Sequence, residues 1–353
     1  MAKEKTQHNT IILSILLAVM CLVLAGAIIV TKTRTTDCTS HSSDCGTTTS
    51  ASVGNSVPTI GTVYVNTTGS LADDQGYASG TAISLTAGST KTVHVVANVT
   101  DVNGVGATAL SQGDLYVVAA TLSKSGTTCD PGSSTPDNNN CYIGANQSSG
   151  SPASCSLTFS SSTVVKIDCS FNLQYYADAT YTGVAGTEAN STWVANVFAM
   201  DTYQQAHSGV SAGTAVLPEI DSLVALSFPP TLDFGSTLTM GQLTTATAYT
   251  VTQFGNTAAD AQVKGSGTGT VGHVGALTCT AGYIPVIAQK WATTSGGSYT
   301  MLTETNADTN LNVAVQTSDS TPVTTNLYWK LFVPVADVGG SCTGTTTFSA
   351  IAH

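Results

Sequence analysis

The chain has 353 residues, 42% hydrophobic and only 9% charged, far below the roughly 25% charge of typical soluble domains. That apolar content excludes wholesale disorder, and the length is the natural size of two domains. Lys3, Lys5, Lys32 and Arg34 stand against Glu4 alone at the amino-terminal end. The remainder holds six lysines, no arginine and twenty Asp or Glu, a net charge of about −14. A body that acidic repels phosphate backbones, which excludes DNA and RNA as partners.

Residues 1–10 are a short basic segment, expected to be cytoplasmic. Residues 11–30, "IILSILLAVMCLVLAGAIIV", carry no charge. As a helix they would span ~30 Å, the thickness of a bilayer core. The favoured reading is a retained transmembrane signal-anchor. A cleaved signal peptide would use Ala25-Gly26-Ala27, but Ile28-Ile29-Val30 would then open the mature chain. A lipid anchor on Cys21 is disfavoured by Met20, and Asn9-Thr10 stands where a type IV prepilin site needs glycine. Basic flanks lie on both sides, so the acidic, cysteine-bearing body sets the orientation: it belongs outside the cytoplasm. Residues 31–56, rich in Thr and Ser, read as a flexible stalk in which Cys38 and Cys45 can close a small loop.

After residue 30 the chain shows period-two alternation and no long helical periodicity. Val93, Val95, Ala97 and Val99 share one face. So do Cys155, Leu157 and Phe159, and again Val165, Ile167, Cys169 and Phe171. Residues 191–201, "STWVANVFAMD", are apolar on both faces, as in a central strand or one that faces another domain. Turn residues punctuate the runs. The pattern predicts an all-β chain with two antiparallel β-sandwich domains, residues 57–215 and 216–353. In the second domain Ala259–Lys264 and Leu311–Gln316 read as strands. Leu327–Val333 and Cys342–Ile351 read as a terminal hairpin, with Leu327, Trp329, Leu331 and Val333 on one face.

Eight of the nine cysteines lie beyond the apolar segment, an even set that favours disulfides. Cys155 and Cys169 share the core phase of neighbouring runs. Cys129 and Cys141 bracket the polar loop "DPGSSTPDNNN". Cys279 and Cys342 remain, with no other local partner. No CxxC motif or Cys/His cluster supports zinc.

The remaining motifs read as structure. Gly267–Gly272 matches G-x-G-x-x-G but lacks the helix that would hold a pyrophosphate, so it is a flexible turn. Asp308–Asn312 begins like a calcium loop, yet Val313 stands where glycine is needed. Asp101 and Asp201 are the remaining calcium candidates, at the ends of strands. No H-E-x-x-H or G-x-S-x-G occurs, so no enzyme and no cofactor is expected. Asn66, Asn98, Asn146 and Asn190 stand in N-x-S/T sequons, about as many as chance gives in a chain this rich in Ser and Thr.

Several stretches resemble a known group. "TVHVVANVTDVNGVG", "CSLTF", "DCSFNLQYYADAT" and "STWVANVFAMD" resemble the immunoglobulin-like domain of predicted surface proteins from uncultured archaea and candidate-phylum bacteria. "PTLDFGSTLTMGQLTTATAYTVTQFGN", "LTCTAGYIPV" and "LYWKLFVPVADVGGSCTGTTTFSAIA" resemble the carboxyl-terminal domain of the same group, and the first of these is similar to the opening of ASH-like sandwich domains. The resemblance implies immunoglobulin-like sandwiches, a cell-surface location and no catalysis. In that group Cys279 and Cys342 fall where paired cysteines are expected.

The expected protein is a non-enzymatic, single-pass membrane protein with an extracellular body for adhesion or envelope structure. It meets the membrane through residues 11–30 and takes surface proteins, glycans or its own copies as partners. One alternative is a pilus-like filament subunit assembled by strand exchange, for which residues 46–66 are the candidate donor. The other is a carbohydrate-binding surface module, for which Trp291 is the candidate platform; Trp193 and Trp329 read as core.

Overall fold

The computed structural model describes residues 56–72, 82–106, 115–131, 136–146, 155–180, 192–201, 219–267, 273–317 and 322–353. Val57–His353 form one compact unit. The expected cytoplasmic segment, the signal-anchor and nearly all of the stalk, with Cys21, Cys38 and Cys45, lie outside the described residues. Among the described residues no helix is long and apolar enough to cross a membrane.

The chain is all-β. Its first half contributes β1 (Thr59–Ile60), β2 (Tyr64–Asn66), β3 (Ala82–Ile83), β4 (Thr90–Thr100), β5 (Leu115–Lys124), β6 (Cys141–Asn146), β7 (Cys155–Phe159), β8 (Val164–Gln174) and β9 (Trp193–Asp201). One sheet runs β1-β4-β8-β7, with β2 also on β4; the other runs β6-β5-β9. The long pair is β4 with β8, in antiparallel register from Thr90↔Gln174 to Thr100↔Val164. The two sheets close on one core, to which Val93, Val95, Ala97, Val165, Ile167 and Leu173 contribute from one side and Val118, Leu122, Trp193 and Val197 from the other. The period-two side chains that share a face in the sequence are those that meet here, as half-buried antiparallel strands require.

Val96 departs from the alternation, being buried although its phase points it outward. β2 lies beside β4 in the same sheet, and the turn after it folds over that outer face, with Gly69 against the His94 and Asp168 side chains. Asn66 fixes the turn: its Oδ1 accepts from the Gly69 N–H at 2.8 Å and its Nδ2 donates to the Ser70 carbonyl at 2.8 Å. Lys166 Nζ donates to the Gly69 carbonyl at 2.6 Å. Beside it Asp168 pairs with His94 at 2.7 Å.

The second half contributes β10 (Glu219–Ile220), β11 (Leu226–Ser227), β12 (Thr247–Gln253), β13 (Ala259–Ser266), β14 (Leu277–Ala281), β15 (Tyr283–Ile284), β16 (Gln289–Ala292), β17 (Thr300–Met301), β18 (Ala307–Asp308), β19 (Thr324–Leu331), β20 (Gly339–Thr343) and β21 (Thr345–Ala352). The sheets are β11-β12-β19-β16-β17, β18-β13-β21 and β15-β14-β20. The first two enclose a core of Tyr249, Val251, Val263, Trp291, Leu327 and Trp329. Phe348 from β21 stacks on both Phe228 and Tyr249, each with centroids 4.9 Å apart. The third sheet covers a smaller cluster of Cys279, Ile284, Ala288, Leu331, Val333 and Val338.

The two halves are not cut cleanly in sequence. β10 pairs in parallel with β3, Ile220 opposite Ile83, and both side chains lie in the first core.

Two strand expectations are corrected. Leu327–Val333 and Cys342–Ile351 do not form a hairpin. β19 already has β12 on one side and β16 on the other, so it has no open edge. The chain instead crosses to new partners: β20 pairs with β14 and β21 with β13. Cys342 and Phe348 consequently serve different clusters. Leu311–Gln316 alternates in burial only as far as Ala314, after which Val315 is half-buried and Gln316 buried, and it makes one bridge, Val313 with Ala259. Asn310 and Asn312 take φ of 49° and 48°, which breaks the extended backbone.

Candidate functional site

The structure places the sequence-nominated residues as follows. Cys129 joins Cys141, Cys155 joins Cys169 and Cys279 joins Cys342. The last two pairs stand directly opposite each other on adjacent strands, β7 with β8 and β14 with β20.

Among the sequons, Asn66 is wholly buried, with its amide spent on the turn it caps. Asn98 is half-buried on the outer face of β4, and Asn146 ends β6. Asn190 lies outside the described residues.

Asp101 is 1% exposed, and its Oδ1 accepts the Asn103 N–H at 2.9 Å in a local turn. Asp201 ends β9. Asp308 Oδ1 accepts the Asn310 N–H at 3.0 Å, which makes the calcium-like stretch a turn. Among the described residues no group of three or more His, Cys, Asp or Glu is placed to hold a metal. β13 precedes Gly267 and β14 follows the glycine-rich turn, whose residues 268–272 lie outside the described residues.

Trp291 does not present its ring. It is 7% exposed, inside β16 opposite Trp329, and so cannot serve as a sugar platform. Part of the candidate donor segment is engaged as well, since β1 and β2 both pair with β4.

The most elaborate polar arrangement is the joint between the two halves. The chain leaves β8 as Tyr175-Tyr176-Ala177, with both rings buried and in edge contact, centroids 5.0 Å apart. Tyr175 reaches across the boundary: its ring meets Phe254 edge-on at 5.5 Å and its hydroxyl donates to Gln316 Oε1 at 2.5 Å. Burial raises the Tyr175 pKa, so the hydroxyl remains a neutral donor. Gln316 is itself buried.

Asn256, 5% exposed, is the hub. Its Nδ2 donates to the Ala177 carbonyl of the first half at 2.9 Å and to the Asp221 carbonyl of the connection at 3.0 Å. Its Oδ1 accepts the Leu223 N–H at 2.6 Å, and its own N–H donates to the Leu223 carbonyl at 3.0 Å. The connection can approach this closely because residue 255 is glycine; a Cβ there would lie 2.1 Å from the Leu223 carbonyl oxygen. Asp221 is held from the first half by Ser84 Oγ at 2.5 Å and by the Ile83 carbonyl, which accepts its N–H at 3.0 Å. Sequence reasoning missed this joint. Its signals were present, a paired tyrosine after a strand and a Phe-Gly-Asn turn after another, but nothing local says that they face each other.

No protein-family model matches the chain, and no curated protein matches it. Among solved structures it is similar to the CsuC–CsuE chaperone–tip adhesion subunit pre-assembly complex from archaic chaperone-usher Csu pili of Acinetobacter baumannii. Identity is 10%, over 76% of this chain and 96% of that chain, with a TM-score of 0.29. A superposition that loose carries no argument about fold or function.

Proposed function

We propose that the chain is a non-enzymatic, membrane-anchored surface protein in which two immunoglobulin-like sandwiches form one stiff arm for adhesion or envelope structure. The observation that carries this reading is the joint. Asn256 and Tyr175 tie the halves with buried, directional hydrogen bonds, where a mobile linker would need exposed and weakly bonded backbone. The three disulfides among the described residues support an oxidising, extracytoplasmic setting, and the apolar 11–30 segment supplies the single-pass anchor. Protease added to intact cells is expected to remove the body and leave the anchor in the membrane. A soluble mature protein beginning near Ile28 would defeat the anchored form.

A second reading, a filament subunit assembled by strand exchange, is favoured by β9. Its residues Trp193, Ala195, Val197 and Ala199 line the core, yet among the described strands it pairs only with β5. An extended segment from a neighbour would find main-chain partners along that edge. The engagement of β1 and β2 with β4 weighs against residues 59–66 as the donor.

A further inference from the structure

Lys124 closes β5, Asn139 sits in the turn that leads into β6, and Asp178 follows β8. Backbone bonds bring the three together. The Lys124 N–H donates to the Asn140 carbonyl at 3.0 Å, and the Asp178 N–H donates to the Asn139 carbonyl at 2.7 Å. The Asp178 carboxylate then bridges the two side chains: Oδ2 receives Lys124 Nζ at 3.1 Å, and Oδ1 receives Asn139 Nδ2. Trp193 Nε1 donates to the Asp178 carbonyl at 2.9 Å, and the Tyr142 hydroxyl donates to the Asn138 carbonyl. Both rings are buried, with centroids 5.9 Å apart. Asn139 is 7% exposed, and its Oδ1 has no hydrogen-bond partner among the described residues. A buried amide oxygen in that condition is costly and calls for a reason.

We propose that Lys124 and Asn139 form an autocatalytic cross-link site, in which Lys124 Nζ is acylated by the Asn139 side chain and Asp178 carries the proton. Asp178 takes a proton from the Lys124 ammonium. The freed lone pair attacks Asn139 Cγ, and the C–N bond to Nδ2 breaks as Asp178 delivers the proton to that nitrogen, which its Oδ1 already contacts. Ammonia leaves and takes up the remaining proton from Nζ as ammonium. One ammonium and one carboxamide become one secondary amide and one ammonium, so atoms and charge balance and no oxidant or cofactor enters. The protein ends with a covalent tie from β5 to the turn before β6 and with one positive charge fewer. Fixed geometry on a shared proton carrier is what such a step needs.

Mass spectrometry of the full chain, solubilised in detergent, reduced and alkylated, decides the matter. Lys91, Lys124 and Lys166 are successive tryptic sites, with no arginine between them. The cross-linked protein gives a single Thr92–Lys166 peptide, lighter by the mass of one ammonia and uncut after Lys124. Fragment ions place the loss between Lys124 and Asn139. Lys124→Arg keeps the cation and restores the full mass, as does Asp178→Ala. Separate, unmodified Thr92–Lys124 and Ser125–Lys166 peptides from the native protein overturn the proposal. So does a deficit that maps to Asn103, where the following Gly104 favours succinimide formation, or one that persists in Lys124→Arg.

Discussion

Replacing Asn256 with alanine tests whether the two halves act as one unit. The change removes four side-chain hydrogen bonds, three with backbone groups (the Ala177 and Asp221 carbonyls and the Leu223 N–H) and a longer one from the Thr257 hydroxyl. Of the three backbone partners the Ala177 carbonyl is left in a buried site and the other two in part-buried ones, and an unsatisfied buried group costs about 1–3 kcal/mol. Water can enter the space the side chain vacates, so the lower end applies and the loss is roughly 3 kcal/mol for the three groups. At a slope of about 2 kcal/mol per molar urea, that moves the affected transition by ~1.5 M. Tryptophan separates the halves, since Trp193 lies in the first core and Trp291 and Trp329 in the second. Fluorescence in a Trp193→Phe background therefore follows the second half alone, and a Trp291→Phe/Trp329→Phe background follows the first. In the parent chain the two probes are expected to report coincident midpoints, and in Asn256→Ala to separate. Coincident and unshifted midpoints in the variant would refute the argument that Asn256 couples the cores.

Three further outcomes are expected. Gly69→Ala should cost about 1–3 kcal/mol in chemical denaturation, because Gly69 sits at φ 68° and a Cβ there would lie 2.2 Å from Asp168 Oδ2; an unchanged midpoint would show that the turn over β4 is not held as described. Burial works against the charge of Asp260, but the hydrogen bond from His353, the Asn312 and Leu311 amides and the charge of His353 outweigh it and lower the carboxyl pKa. The resulting stability is present above the unfolded value of about 3.9 and is lost as pH falls through the lowered folded value. Asp260→Asn should therefore flatten the acid limb of the stability profile below pH ~4, and an unaltered limb would contradict the assignment. Replacing Cys279 and Cys342 with alanine opens a loop of sequence separation 63, which the chain-entropy model values at about 4 kcal/mol. The melting temperature should fall by several degrees, and no change would mean that the small cluster around Val338 is held by packing alone.

Much of the fold was legible because burial on one side of an antiparallel strand writes period-two alternation into the chain. Val93 to Val99 and Val165 to Phe171 showed it and are the paired β4 and β8. The cysteines were legible for the same reason: Cys155 and Cys169 stand in core phase on adjacent runs. Where the reading failed, the missing information was non-local. Alternation in Leu327–Val333 and Cys342–Ile351 identifies strands but not their partners, and β19 was already flanked on both sides. Asn310 and Asn312 look like turn or strand residues in sequence, and only their left-handed backbone shows why Leu311–Gln316 makes no ladder. The joint escaped because Tyr175, Asn256 and Gln316 are ordinary surface types, made interior by the meeting of two cores. The Lys124, Asn139 and Asp178 group escaped likewise, because its members come from three separated segments.

The central claim is an anchored arm with its body outside the cell, and electron cryotomography of native cells carrying a label on the carboxyl-terminal half tests it most directly. The account predicts label on isolated projections at the outer face of the membrane. Label along continuous filaments, or on the cytoplasmic side, would contradict it.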